Sequence, residues 1–385
     1  MSSFAYSGWI LVGILGLALL MVVHEAGHFF VARAFGMRVT RFSIGFGPTF
    51  FKIVPRDGFF WFTTAADKIR LRLWRHNPEK HGPTIYQVAM IPFLAYVQIA
   101  GMNPLEDIEP DDKGSYANAS LFGRIATIVG GPLANYLFAS VLFFFAFLFG
   151  GRPVEIDPSK PLPTDVSVVA EQGKPQRPAA AAGMKTGDKV VEISGVAVTD
   201  WKKMAEVISK HPNEALPIVV EREGARVTLT VTPAPDAKGD GKIGVAMMER
   251  REPVSTGQAA ILALKAPPRV VKMLVISMGE LIAGRIEGRL TGPVGIVEAA
   301  ANEARDGVTY LFSFLGGLSA YLGAFNLVPF PALDGGRLMF LGYEATTRRR
   351  PNARIEQSIH LVGMVMMLGL MFYVTIANDL HFGAK

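Results

Sequence analysis

The chain has 385 residues, half of them apolar, and a net charge of +6. It contains no cysteine, which excludes disulfides and thiolate chemistry. The charge is modest for this length and no basic face carries interleaved aromatics, so nucleic-acid binding has no support.

The first predicted element, within residues 1–36, is a membrane-crossing helix. Residues 1–23 carry no charged side chain, and the helical pattern runs to about Ala32. One crossing needs about 20 residues. A secretory signal peptide would need a basic leading region and a small-residue cleavage site, and neither is obvious before His24. HEAGH at 24–28 lies inside this span. On a helix His24 and His28, at i and i+4, share one face, so both imidazoles can reach one metal ion. Glu25 sits where it can take a proton from water at that metal, which is the H-E-x-x-H arrangement of zinc hydrolases. Polar packing against a neighbouring helix is the alternative, opposed by the cost of placing ionisable groups in lipid. Ala26 and Gly27 leave room for another helix to approach.

Residues 37–120 are predicted to lie at the cytoplasmic face. VTRFSIGFGPTFFKI at 39–53 alternates around a glycine-rich centre and reads as a hairpin, with Phe42, Ile44 and Phe46 on one face. DKIRLRLWR at 67–75 also alternates. Paired strands here would offer an edge to an unwound substrate, or would only brace the helices. Gly82–Leu105 is uncharged and competes as a further span. Pro92, Gln87, Gln98 and a mixed pattern favour instead a segment lying at, or dipping into, the inner face.

Three more uncharged runs, Ile125–Gly151, Gly307–Leu333 and Ser358–Asn378, predict transmembrane helices within 121–151, 307–336 and 357–379. His360 is the one titratable residue in the last run besides Tyr373. Orientation follows lysine and arginine. The segment after span one is basic from Arg33 to Arg75, and the segment after span three carries Arg337, Arg348, Arg349, Arg350 and Arg354. Both therefore face the cytoplasm, with the termini and the long region between spans two and three outside. A zinc site needs a third protein ligand and an open position. His24 lies roughly 22 Å along the helix from Trp9, toward the cytoplasmic side. Asp334, in NLVPFPALDGGR at the inner end of span three, falls at a similar depth. A fifth span at 82–105 would reverse span three. Pro329 and Pro331 must interrupt regular hydrogen bonding, and Asp334 followed by two glycines also reads as a simple helix stop.

The outer region opens with a loop-like QGKPQRPAAAA at 172–182. A turn at Lys185–Asp188, the strand KVVEISG, a helix over 201–211 and a hairpin over 218–233 turned at Glu223–Gly224 follow. Residues 258–284 are apolar but broken by Lys265, Pro267, Pro268, Arg269, Lys272 and Glu280. They predict amphipathic helices on the outer membrane surface within 253–300, or core helices of the outer region.

HEAGH in a first span, joined to N-x-x-P-x-P-x-L-D-G at 326–335, resembles the site-2 proteases, which are intramembrane zinc metalloproteases. The likeness is greatest to the bacterial regulator of sigma-E protease type and covers nearly the whole chain, with GFGP at 45–48, GPLAN at 131–135 and TGPVGI at 291–296 as further matching pieces. The resemblance implies Zn2+ as cofactor, His24, His28 and Asp334 as its ligands, Glu25 as catalytic base and Asn326 as a residue holding the substrate backbone. It implies one extracytoplasmic PDZ-like domain over 160–248 that gates access, and a membrane-entering β-hairpin. The implied substrates are single-pass membrane proteins already trimmed on their outer side, such as anti-sigma factors, or remnant signal peptides. The implied location is the bacterial inner membrane. Two positions depart from the family. Arg337 stands where a histidine often follows L-D-G-G, and Leu94–Ala95 stands where two glycines precede Tyr96–Val97. The expected fold is thus a polytopic α-helical membrane protein with four transmembrane helices, a membrane-associated β-hairpin or sheet and one PDZ-like α/β domain. A membrane scaffold with a vestigial metal site, which would not need Glu25, and a zinc membrane protease of another family are the competing readings.

Overall fold

The computed structural model describes residues 3–379 except 65, 67, 104, 107–108, 155–160, 169–176, 237–238, 249 and 286–290. The chain divides into two compact units, Met1–Gly150 with Val254–Lys385, and Gly151–Pro253.

The first unit begins with α1 (Ser3–Ala34), built from leucine, valine and alanine. It ends where Gly36 adopts φ 77°, with Gly36 N–H donating to Arg33 and Met37 N–H to Ala32. This is a left-handed glycine stop that satisfies the last carbonyls. The chain then forms β1 (Val39–Arg56), β2 (Phe59–Thr64), β3 (Arg70–Arg75), the short α2 (Pro78–His81) and β4 (Ile85–Ile99). The sheet order is β3-β2-β1-β4. The glycine-rich centre at 45–47 is not the tight turn. That turn falls at Asp57–Gly58, both with positive φ, and joins β1 to β2. At Gly45 (φ 90°) β1 instead bends sharply, and an added Cβ would meet the carbonyl oxygen of Ile91 at 2.7 Å. The bend lets β4 line β1 twice: Phe42 lies opposite both Val97 and Tyr86, and Tyr86 also lies opposite Ile53. Ile85–Ile99, the body of the 82–105 stretch, is therefore a strand and not a fifth helical span. Next comes α3 (Leu121–Gly150).

The second unit comprises β5 (Arg152–Pro153), β6 (Val166–Val168), α4 (Pro178–Ala181), β7 (Lys189–Ile193), β8 (Val196–Ala197), α5 (Trp201–Ser209), β9 (Leu216–Arg222), β10 (Ala225–Val231) and the short β11 (Ala234–Pro235), β12 (Gly241–Lys242), β13 (Val245–Met247) and β14 (Arg251–Glu252). Its main sheet has the order β10-β9-β7-β8. Leu216, Ile218 and Val220, at period two, turn inward to a core with Val190, Ile193, Met204 and Ile208. Asp200 caps α5 by accepting from Lys202 N–H at 3.0 Å. The β9–β10 turn is at Glu223–Gly224. Residues 172–176 of the expected linker lie outside the described residues.

The first unit resumes with α6 (Thr256–Ile282), α7 (Pro293–Asp306), α8 (Val308–Asn326), α9 (Asp334–Thr347) and α10 (Ala353–Val374). Residues 253–300, expected as membrane-surface helices, supply α6 and α7. Each lays an alanine face on the long helices. Ala263 and Ala266 of α6 pack with Phe143 of α3 and Ala320 of α8, and Val297 and Ala300 of α7 crowd Gly13 of α1. The third predicted span is shorter than expected. Its helix stops at Asn326, residues 327–333 form a break where the prolines fall, and Asp334 starts α9. LDGG is thus a helix beginning, not a stop. Among the described residues four helices are long and apolar enough to cross a membrane, over Ser7–Ala34, Leu121–Gly150, Val308–Asn326 and Ala353–Asp379. α1, α3, α9 and the sheet meet in one core through Phe29, Ala32, Met37, Phe42, Ile99, Ile128 and Leu341.

Candidate metal centre and active site

α1 carries HEAGH on the side that meets α3. Its spacing brings His24 Nε2 and His28 Nε2 to 3.2 Å. The first turn of α9 brings Asp334 Oδ2 to 3.2 Å from His24 Nε2 and 3.3 Å from His28 Nε2. Both histidines are buried, at 6% and 5% exposure. Three potential donor atoms at these mutual distances can hold one cation between them. Tetrahedral zinc with ligands at about 2.0 Å puts its donors about 3.3 Å apart. Asp334 Oδ2 is a buried oxygen with no hydrogen-bond donor of suitable geometry, as a metal ligand would be. The residues therefore fit a zinc ion.

The other ring nitrogens explain why these imidazoles present Nε2. His28 Nδ1–H donates to the carbonyl oxygen of Thr127 at 2.7 Å. His24 Nδ1 lies 3.3 Å from the side-chain amide of Asn135, which is fully buried and whose Oδ1 has no partner. When Nε2 gives its lone pair to a metal, Nδ1 carries the proton and needs an acceptor. A half-turn of the Asn135 amide brings Oδ1 to that proton. Glycine makes this approach geometrically allowable. A Cβ on Gly131 would stand 2.4 Å from His28 Nε2, and one on Gly27 would strike the carbonyl oxygen of Gly130.

The break before Asp334 folds over the start of α9. Carbonyl oxygens of Leu327 and Val328 press on Gly335, and that of Phe330 presses on Gly336. Ala332 takes φ 77°, and its N–H donates to His360 Nδ1 of α10 at 3.1 Å. Pro331 packs on Gly363, one turn further along α10. Residue by residue these contacts aim the Asp334 carboxylate, whose position in the first turn of α9 also suits its charge.

Glu25 follows His24 on α1, and its Oε2 accepts from Val97 N–H of β4 at 3.0 Å. Tyr96, Val97, Gln98 and Ile99 line a groove of ≈ 610 Å³ whose other wall includes Gln357 and His360. Among the described residues Asn326 makes no hydrogen bond to the three donors. It ends α8, half-buried, at the far side of the break from Asp334. Sequence reasoning missed Thr127, Asn135 and Val97. GPLAN was a usable signal for Asn135, because a buried amide in an apolar run needs a polar partner, whereas nothing local marks Val97.

Four apolar helices, one carrying H-E-x-x-H beside a half-buried aspartate, define a membrane-embedded metallopeptidase. The chain belongs to peptidase family M50, whose pattern matches residues 12–66 and 70–370. It is similar to a protein of Nostoc sp. assigned to the zinc metalloproteases, at 29% identity over 95% of this chain and 94% of the relative. It is also similar to the zinc metalloprotease RasP of Geobacillus kaustophilus, at 27% identity over 94% and 95% of the two chains. The regulator of sigma-E protease RseP of Salmonella typhimurium is 26% identical over 93% and 95%.

Proposed function

We propose that this chain is an intramembrane zinc protease that hydrolyses a peptide bond within or near the transmembrane segment of single-pass proteins. His24, His28 and Asp334 hold the metal, and Glu25 is the general base. The spacing of the three donor atoms on and beside an apolar helix carries the reading. Zinc bound there supplies Lewis acidity, making water acidic enough to activate and polarising the scissile carbonyl. Glu25 takes the water's proton and passes it to the departing amide nitrogen. Its own carboxylate is steadied by Val97 N–H, so the base and the edge of β4 are in register. An extended substrate adding to that edge would lie in the groove with its amide exposed, which a helix would hide. Asn326 is assigned to hold the substrate backbone by family likeness.

The basic loops support a metal toward the cytoplasmic side of the inner membrane, with both termini and the second unit outside. The second unit is read as a PDZ-like gate. A groove of ≈ 200 Å³ between α5 and residues 241–245 supports this reading. Relatives named regulator of sigma-E protease support pre-trimmed anti-sigma factors as a substrate class, with remnant signal peptides as a second.

The test compares purified parent with Glu25→Gln, measuring bound zinc and cleavage of a model transmembrane peptide. The variant should keep zinc and lose about 10²-fold or more in rate. Equal cleavage by both would remove Glu25 as the base, and a parent without zinc would remove the metal assignment.

A further inference from the structure

A second polar cavity, lined by none of the metal donors, shares Met102, Arg337 and Glu356 with the groove beside β4. It measures ≈ 180 Å³ and is lined by Tyr116, Arg124, Arg337, Glu344, Arg350 and Glu356, among others. That is room for a small polar group. Its walls come from the start of α3, the body of α9 and the start of α10. α3 and α10 are both long and apolar enough to cross a membrane, so the cavity lies where two spans leave the apolar layer.

The charges do not cancel within the protein. Arg124 is almost fully occupied by Glu344, with Nη1 and Nη2 donating at 2.9 and 2.6 Å. Its side chain is 9% exposed, and its buried Nε has no partner. Arg350 donates to the carbonyl oxygen of Ala117 at 2.6 Å and keeps Nε 3.9 Å from Glu344. The Arg337 and Glu356 side chains make no hydrogen bond, and no ion pair within 4 Å, among the described residues. Tyr116 is buried, and its hydroxyl likewise has no hydrogen-bond partner. Burial raises that phenol to about 12, so it stays a donor at every working pH. The cavity thus offers two guanidinium groups and a phenol as donors, and one carboxylate as an acceptor.

We propose that this cavity binds the headgroup of a phospholipid carrying both a phosphate and a primary ammonium. Arg337, Arg350 and Tyr116 take the phosphate, for which the planar guanidinium is well matched. Glu356 takes the ammonium. A purely anionic headgroup would leave Glu356 unpaired beside the phosphate, and a purely cationic one would meet the arginines. Basic cavities between helix ends at a membrane face are established lipid-headgroup sites. The lipid would tie α3, α9 and α10 together beside the helix that carries Asp334, whatever reaction the protein performs.

The experiment is native mass spectrometry of the full chain released from nanodiscs of phosphatidylethanolamine and phosphatidylglycerol with matched acyl chains. The parent should retain one phosphatidylethanolamine with at least about tenfold preference. Arg337→Gln should lower retention about tenfold or more, and Tyr116→Phe should lower it by less. Glu356→Gln should keep a lipid but lose the preference for ethanolamine over glycerol. Thermal unfolding identifies any variant that fails to fold. Unchanged retention and preference in folded Arg337→Gln and Glu356→Gln would overturn the proposal. So would soluble phosphoethanolamine displacing the lipid at equal concentration, which would make a free phosphate compound the occupant.

Discussion

Glu25 and Val97 are 72 positions apart and are joined by one hydrogen bond, in which the Val97 amide donates to Glu25 Oε2 at 3.0 Å. The bond ties the candidate base on α1 to the strand edge that lines the groove. Val97→Pro removes that N–H, and it does so on an edge strand, where proline is best tolerated. We expect zinc content to be unchanged and cleavage of a transmembrane peptide to fall about tenfold, the scale of one charge-assisted hydrogen bond. A variant with parental rate would separate β4 from catalysis.

Gly131 lies against both imidazoles. In Gly131→Ala the new methyl would sit 2.4 Å from His28 Nε2 and 2.9 Å from His24 Cε1. The rings must move off their donor geometry, so zinc should be lost to a chelator at least about tenfold more readily. The helical circular dichroism should stay close to the parent's. Parental zinc retention would show that α1 and α3 separate easily, against the packing described.

With its amide turned by a half-turn, Asn135 would supply the acceptor for His24 Nδ1–H. Asn135→Leu keeps the volume but removes the acceptor, and metal affinity should drop about 10- to 100-fold. Asn135→Asp restores an acceptor and should recover most of that loss. Cobalt substitution gives a readout independent of turnover, because the ligand-field spectrum reports His24 directly. Identical spectra in parent and Asn135→Leu would remove the assignment.

In the second unit the Arg222 guanidinium donates to Asp188 through Nε and Nη2, both at 2.7 Å, and Lys185 N–H adds a third bond at 2.8 Å. These hold the Asp188 carboxyl below the usual carboxylate range. A carboxyl lowered in the folded state binds fewer protons folded than unfolded. Its stabilisation is therefore present above its ordinary pKa of about 3.9 and is lost as pH falls toward the folded value. Trp201 is the one tryptophan of this unit, and the unit's stability against unfolding should weaken on acidification below about pH 4. Arg222→Gln should be less stable at neutral pH and flatter across the acid range. A parallel pair of curves would refute the linkage.

Beyond α10, at the end of the π-helical turn Thr375–Asp379, Asp379 accepts from the N–H groups of Gly292, Val294 and Gly295 at 2.9 to 3.2 Å, capping α7. This gives TGPVGI a physical reason, since a Cβ on Gly292 would stand 2.5 Å from that carboxylate. Asp379→Ala should cost about 1–2 kcal/mol, the scale of a lost helix cap, seen as a lower unfolding temperature with zinc content unaltered.

Local chemistry wrote several features directly into the sequence. Four apolar runs had to become helices, because only helices and closed barrels satisfy the backbone in lipid. The i, i+4 spacing of HEAGH put two imidazoles on one helical face. Pro329 and Pro331 marked the break between α8 and α9, although its other end, where Asp334 begins a helix, was read as the end of one. Tertiary structure alone decided which atoms meet. IYQVAMIPFLAYVQI carries no clean period, so only pairing with a β1 bent at Gly45 makes it β4. The Thr127 carbonyl and the Asn135 amide reach the histidines because glycines 27, 130 and 131 let two helices touch. These contacts join positions about a hundred residues apart, and hydrophobic periodicity reports only on neighbours three or four positions away.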